Sequence, residues 1–576
     1  MPYYGPDLQS YPGDVSIWNW LFGSRQSCGN DTSQGPVHLS DDRGFRDAAS
    51  GSLLTFRAIR DKSTWLSIAL ARSLGLQAHQ TVAVVSSNSI WCPVAMFAAG
   101  RLGAVVTTLP YEANAKDLAF FFQASSTTIV FTNASALGQV REACQTVGLA
   151  DDRIILLDDP PRGEASIQGL IEHGKALGPA EFVEEWKPAE NTPSACAFLS
   201  FTSGTTGRPK AVMISHTNII SQLCQMRQLT PQKTPNTVLG ILPFYHITGL
   251  VHLLHLPIVL GQDVVVMSKF DMKRMLDTVV KYTCNELWVV PPILIRLLND
   301  PIVHEYDISF VNQFNTGAAP LAEQVIVQLS ARFPRVAIRQ AWGMTESTSC
   351  LTVTPPGLTT WSNATKVGKI VAGTDIRIVD PETKKDLAVD ESGELWARGP
   401  QISMGYLNNS AETAESFDSD GYLHTGDLGS IDREGFITIH DRLKEMIKVR
   451  GFGIAPAELE DLLLGHPQVR DAAIVGIPDD YSGEIPRAFI VVHPGVARDI
   501  HTAKALQQYV KSHKARHKWL AGGVEFLDAI PKSASGKILR RSLKAKWKED
   551  MKHDKQRSAK FLRQFISVVT GKAQYA

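Results

Sequence analysis

The sequence predicts an α/β protein: a large N-terminal domain of two parallel-rich sheets with helices plus a small β-barrel, followed by a smaller α+β C-terminal domain. Three observations predict it. Strand-length apolar runs recur between positions 81 and 344 without polar alternation, as strands buried on both faces of a parallel sheet do. Stretches of helical length separate many of them. From about Thr365 the texture changes to short apolar runs set between Gly and Asp, the pattern of antiparallel strands and tight turns. At 576 residues, 44% of them hydrophobic, the chain exceeds one compact domain and can bury large cores.

In chain order, 52–76 reads as an extended entry and an amphipathic helix. Strands are then expected at TVAVV (81), AVVTTL (104), TTIVFT (127), RIILL (153) and CAFLSFT (196), with helices over 90–102 and 115–124. The rhythm resumes at TVLGIL (237), DVVVM (263), ELWVV (286), QFNTG (313) and AIRQAWGM (337), so two similar α/β halves are expected. GELWARGPQISMGYL and GYLHTGDLGSIDREGFITIHDR read as antiparallel strands. A helix over 456–464 and strands near 471 and 487 build the last compact α/β unit.

Composition excludes several classes. Lys+Arg and Asp+Glu are both 58, so no net field draws the chain to nucleic acid. The 7 cysteines are scattered without a C-x-x-C pair, which suggests neither a zinc site nor a disulfide framework and fits a reducing compartment. No apolar run approaches the ~18 residues of a membrane span. The N-terminus lacks a basic, then apolar, secretory pattern, and Gln574-Tyr575-Ala576 is not a Ser-Lys-Leu address, so a cytoplasmic location is expected.

The chemistry centres on Thr202, Ser203, Gly204, Thr205, Thr206, Gly207 and Lys210, a hydroxyl- and glycine-rich loop that leaves a buried strand and leads through the lysine toward a helix near His216. Glycines let backbone N–H groups approach an anion, hydroxyls add donors and the lysine adds charge, so the loop is suited to phosphate; a plain hairpin loop is the alternative. It is not a Walker A loop, because Arg208 and Pro209 separate Gly207 from Lys210 and every Gly-Lys pair in the chain precedes Ala or Ile.

Further motifs follow it. In PFYHITG, His246 lies among apolar residues, either a packed core histidine or a site residue. NTGAAP offers Gly317, Ala318 and Ala319, small enough for close approach of a flat ring. QAWGMTE supplies Ala341, Trp342, Gly343, Met344, Thr345 and Glu346, HTGD supplies Asp427, and DRLK supplies Arg442. Thr-Glu also reads as a helix cap, Asp427 as a turn residue and DRLK as a surface charge cluster. PKSASGKILRR places Lys537 near Arg540 and Arg541, by itself a solvated charge cluster.

Together and in this order, these segments resemble the adenylate-forming superfamily, the acyl-CoA synthetase and 4-coumarate-CoA ligase-like AMP-binding enzymes, from about Ser52 to Arg541. The resemblance implies domains at 1–440 (AMP-binding) and 445–541 (mobile, carrying the catalytic lysine), a hinge at 441–444 and a basic extension over 542–576. It implies ATP, Mg²⁺ and coenzyme A, or the phosphopantetheine of a carrier protein, with a small carboxylic acid as substrate. Lys210 and its loop would hold the β- and γ-phosphates. Trp342 would line the adenine site, Thr345 would donate to the α-phosphate, Glu346 would hold Mg²⁺, and Asp427 with Arg442 would take the ribose. His246 would flank the acyl pocket, and Lys537 would span the acid and the bridging oxygen. Lys448, Arg450 and Gly451 fall where relatives guide the thiol donor, although Gly453 departs from the usual glutamine, and Ala341 stands where many aryl ligases have glycine.

The leading expectation is therefore an AMP-forming acid:CoA ligase for a fatty or aromatic acid. The opening SIWNWLFG is similar to ligases of fungal secondary metabolism. An acyl-AMP ligase that loads a carrier protein is the alternative, and an inactive scaffold is a third reading that the full residue set disfavours.

Overall fold

The computed structural model describes residues 2–9, 15–23, 41–158, 163–178, 185–187, 195–202, 209–230, 236–319, 321–450, 452–479, 481–533 and 536–551. Two compact units emerge: one holds Met1–Leu321 with Ile326–Ile439, the other runs from His440 onward and includes Ala322–Val325.

The first unit contains the expected pair of parallel-rich sheets. In the six-stranded sheet the order is Ile154–Leu156, Thr127–Thr132, Thr81–Val85, Val105–Leu109, β1 (Cys196–Thr202) and β2 (Lys210–Ser215). All neighbours are parallel except β1 and β2. Thr81–Val85 and Val105–Leu109 are buried at every position, which is why they read as unbroken apolar runs. Helix Ala115–Ala124 spans the expected residues, started by Asn114, whose Oδ1 accepts from the Asp117 N–H at 2.9 Å.

The second sheet has nine strands. Five expected strands run parallel at its centre, among them β3 (Gln313–Thr316) and β4 (Ala337–Met344). Gly44–Asp47 adds a sixth parallel strand beside Asp263–Val266, and antiparallel strands lie outside, Ser349–Val353 and Lys369–Ile370 on one side and Leu53–Thr55 on the other.

The expected barrel is, among the described residues, an open five-stranded antiparallel sheet including Asp375–Val379, Gly393–Arg398, Leu423–Ile431 and Ile437–Arg442. Its last edge is joined by a bridge between Phe436 and Lys369 to the corner of the second sheet, and does not close on its own first strand.

The second unit is built on the antiparallel pair Val469–Asp479 and Gly483–Val492. Helices Pro456–Leu464 and Ile500–His513 pack Leu459, Leu463, Leu506 and Val510 onto Ile474 and Ile490. A final helix covers 540–551. No helix among the described residues is long and apolar enough to cross a membrane.

Candidate active site

β1 and β2 pair antiparallel with Thr202 opposite Lys210. Ser203, Gly204, Thr205, Thr206 and Gly207 lie outside the described residues. α1 (His216–Gln228) begins where a helix was expected, but Lys210 first opens β2, a strand not foreseen from sequence. Ser215 caps α1 reciprocally with Asn218, at 3.0 Å and 2.9 Å. The Asn218 amide also donates to Pro400 O and Ile402 O, both at 2.8 Å. These bonds fix the chain after position 400 beside β2.

That neighbouring segment completes the surroundings of Lys210. Residues 404–407 run antiparallel to β2, with Met404 N–H donating to Met213 O and Leu407 N–H to Ala211 O, each at 2.9 Å. Tyr406 is thereby held with its ring 5.0 Å from Lys210 Nζ, and its hydroxyl donates to Glu346 Oε1 at 3.0 Å. Burial, with the Glu346 charge, pushes the Tyr406 phenol above its ordinary pKa and keeps it a donor. Lys210 forms an ion pair with Glu412. Two residues foreseen separately, Lys210 and Glu346, thus meet through Tyr406. Neither Tyr406 nor Glu412 was singled out from sequence, and no motif spacing marks a partner about 200 positions away.

Gly317, Ala318 and Ala319 leave the C-terminal end of β3, beside β4, where parallel sheets bind ligands. Ala318 has φ +67°, a left-handed conformation that costs an alanine energy and concentrates at functional sites. The β4 register slips between Trp342 and Gly343, and a Cβ on Gly343 would lie 1.6 Å from Ser349 O, so only glycine fits. Met344 then passes into the short turn Thr345–Ser347, fixed by Met344 N–H donating to Ser347 Oγ at 2.9 Å. Thr345 and Glu346 are half-buried there.

Trp342 differs from expectation. Its ring is not presented as a stacking face but buried against Leu351, Ile370 and Ile376. Its Nε1–H donates to Asp427 Oδ2 at 2.8 Å, and Asp427 is itself buried. The physical reason is that β4 carries Trp342 into the core between the sheets, where its polar edge meets the Asp427 carboxylate.

His246 sits in a loop pinned by Asn88, whose amide donates to Leu242 O at 2.9 Å and accepts from Phe244 N–H at 2.8 Å. Burial lowers its pKa to about 4, so it is neutral near pH 7. Behind Ala341 the structure shows a polar cluster not foreseen from sequence. His252 Nε2 lies 2.8 Å from Ser349 Oγ and 3.4 Å from Cys350 Sγ, and its ring stacks on Trp288 at 4.6 Å. Ala341, Trp288, Thr316 and Cys350 line a cavity of about 10 Å³, the size of a single water site.

The second unit carries the remaining expected residues. Asp441 accepts from Arg442 N–H at 2.7 Å and Ala457 N–H at 3.1 Å. Lys448 is exposed on a strand facing Gly453. Arg450 has φ +52° and lies 4.3 Å over the Tyr481 ring; Gly451 lies outside the described residues. Lys537 closes a tight turn in which its N–H donates to Ser533 Oγ at 3.1 Å and its carbonyl accepts from Ser533 N–H at 2.8 Å. Arg540 follows, paired with Glu445 at 2.8 Å and Glu460 at 3.0 Å and bonded to Ile474 O at 3.1 Å. Burial opposes the Glu445 charge, but Arg540, with Lys537 and Arg442, holds its carboxyl below the usual range.

Two family models match this chain: AMP-binding enzyme over residues 38–407 and AMP-binding enzyme C-terminal domain over 458–537. The 4-coumarate--CoA ligase-like 1 of Arabidopsis thaliana is 34% identical over 520 residues, covering 89% of this chain and 93% of that protein. The chain belongs to the AMP-binding enzyme family. Other relatives of this AMP-binding enzyme include 4-coumarate--CoA ligase 2 of Oryza sativa subsp. japonica, 35% identical with 87% and 88% coverage. The peroxisomal OPC-8:0-CoA ligase 1 of Arabidopsis thaliana is 34% identical, with 87% and 89% coverage. Among solved structures, ATP-bound MatB from Rhodopseudomonas palustris is 25% identical and covers 92% of this chain and 99% of its own, with a TM-score of 0.78. The anthranilate CoA ligase AuaEII in complex with anthranoyl-AMP shares the fold, with a TM-score of 0.82, 20% identity and 94% and 99% coverage. This AMP-binding enzyme is an adenylate-forming acid–thiol ligase of the acyl- or aryl-CoA type, and the family uses ATP and coenzyme A.

Proposed function

We propose that the chain activates an aromatic or fatty carboxylic acid as its acyl-AMP and passes the acyl group to the thiol of coenzyme A. The observation that carries this reading is the convergence of Lys210 and Glu346 on Tyr406. In this reading Lys210 takes the β- and γ-phosphates, Thr345 donates to the α-phosphate, and Asp427, oriented by Trp342, accepts from the ribose hydroxyls with Arg442 assisting. Small residues 317–319 leave room for the adenine, and His246 flanks the acid.

A carboxylate is a weak nucleophile repelled by a triphosphate, so the protein's task is neutralisation and alignment. One acid oxygen forms a bond to the α-phosphorus, the bond to the bridging oxygen breaks, and pyrophosphate leaves. Lys537 would sit against both reacting oxygens. Glu346 offers the oxygen ligand that Mg²⁺ prefers. When bound, that ion supplies charge to the leaving pyrophosphate.

Thioester formation then needs the second unit to present Lys448, Arg450 and Gly451 to the thiol donor, with rotation about residues 441–444. Acid-dependent exchange of labelled pyrophosphate into ATP over a panel of aromatic and fatty acids tests the first step. The responding acid, offered with coenzyme A or with a carrier protein bearing phosphopantetheine, gives a thioester identified by mass. Thioester on the carrier alone would replace coenzyme A by the carrier in this reading, and no exchange with any acid would overturn it.

A further inference from the structure

We infer that Glu412 is an internal stand-in for phosphate: a carboxylate that holds Lys210 and that the nucleotide must displace. This rests on the reading of Lys210 as a phosphate ligand. The Lys210 side chain is only 12% exposed and that of Glu412 22%, so their ion pair is largely withdrawn from water. The pair is built in. Glu412 lies in the first turn of helix Ser410–Ser416, where its N–H donates to the capping Asn409 Oδ1 at 3.3 Å. The hydroxyl of Thr413, the next residue, accepts from Tyr406 N–H at 3.0 Å and donates to Asn409 O at 2.8 Å. The same turn that presents Glu412 therefore also fixes Tyr406, the ring beneath the ammonium.

An ammonium has three donors and one charge, and a carboxylate held against it competes directly with phosphate oxygens. Binding that requires the competitor to leave is weakened by the fraction of molecules in which the cation is already released. Glu412 thus lowers nucleotide affinity while keeping Lys210 over Tyr406, in the place the phosphates will need it.

The test is equilibrium binding of α,β-methylene-ATP with Mg²⁺, by calorimetry, to the full chain and to the variants Glu412→Gln, Glu412→Ala, Lys210→Met and Lys210→Met with Glu412→Gln. Both Glu412 variants are expected to bind about two- to fivefold more tightly, the scale of one part-exposed ion pair. Lys210→Met is expected to bind more weakly, and adding Glu412→Gln to it to change nothing. A gain in affinity cannot come from a misfolded variant. Unchanged or weaker binding by both Glu412 variants, with Lys210→Met still impaired, overturns this inference alone. The same gain in the Lys210→Met background shows general repulsion of the nucleotide and overturns it too. Lys210→Met binding as tightly as the unmodified chain removes both the inference and the phosphate role of Lys210.

Discussion

Replacing the indole of Trp342 by a phenyl ring removes its hydrogen bond to Asp427 along with part of its packing against Leu351 and Ile370, so the bond is read as a ratio between two nucleotides, in which a general packing loss cancels. The indole N–H meets a buried carboxylate, and a hydrogen bond to a charged group is worth about 1.5–3 kcal/mol. Trp342→Phe should therefore reduce the preference for ATP over 2′-deoxy-ATP by roughly tenfold or more, measured as the ratio of kcat/KM values. An unchanged ratio would mean that Asp427 does not read the ribose. Ala341 allows a second single-residue test, because its methyl group borders the small cavity against Trp288 and Cys350. Ala341→Gly should shift preference toward bulkier aromatic acids by about tenfold in relative kcat/KM, the scale of one methylene in an apolar pocket. A parallel loss for small and bulky acids alike would show that the cavity is not part of the acid site.

Secondary-structure elements were legible where burial is two-sided, and less so where function depends on contacts between distant segments. Val105–Leu109 and Asp263–Val266 announce themselves because each lies inside a sheet, and apolar character needs no partner to be seen. β2 was missed because its AVMIS runs from Lys210 into the cap of α1 with no turn residue between them. Trp342 was located but its packing was not, since spacing fixes where the backbone goes and the rotamer depends on the surrounding core. Tyr406 gave no signal at all, because its meaning comes from β2 and Glu346. The same limit applies to the catalytic-lysine loop, where the motif shows Lys537 but not the clamp at Arg540. That guanidinium is 13% exposed and joins Glu445 to Glu460. Arg540→Met would leave Glu460 without its guanidinium and Glu445 with only the charges of Lys537 and Arg442, and losing one partner of a buried pair costs about 3–5 kcal/mol. Urea unfolding should show that loss, with Glu445→Gln costing less because Glu460 remains paired. Stability within about 1 kcal/mol of the unmodified chain would reduce the clamp to a surface pair.

At the scale of the whole molecule, the passage from one unit to the other falls between Ile439 and His440, and the first buried charge beyond it is Asp441. Burial pushes its carboxyl up to about 6 from an ordinary 3.8, against the N–H groups of Ala457 and Arg442 and the charge of Arg540, while Glu460 adds to the rise. A raised carboxyl reverses the usual acid–stability relation. Below about pH 4 both folded and unfolded chains hold this proton, and between about pH 4 and 6 only the folded chain does. The stabilisation is thus fully present at the acid end and lost as pH rises through about 6, by an amount on the order of 3 kcal/mol. Asp441→Asn abolishes the titration. Its stability relative to the unmodified chain, from urea unfolding at about pH 4 and about pH 7, should therefore improve toward neutral pH. A difference that stays constant across that range would show that Asp441 titrates as an ordinary exposed aspartate and that the junction between the units carries no proton-linked charge.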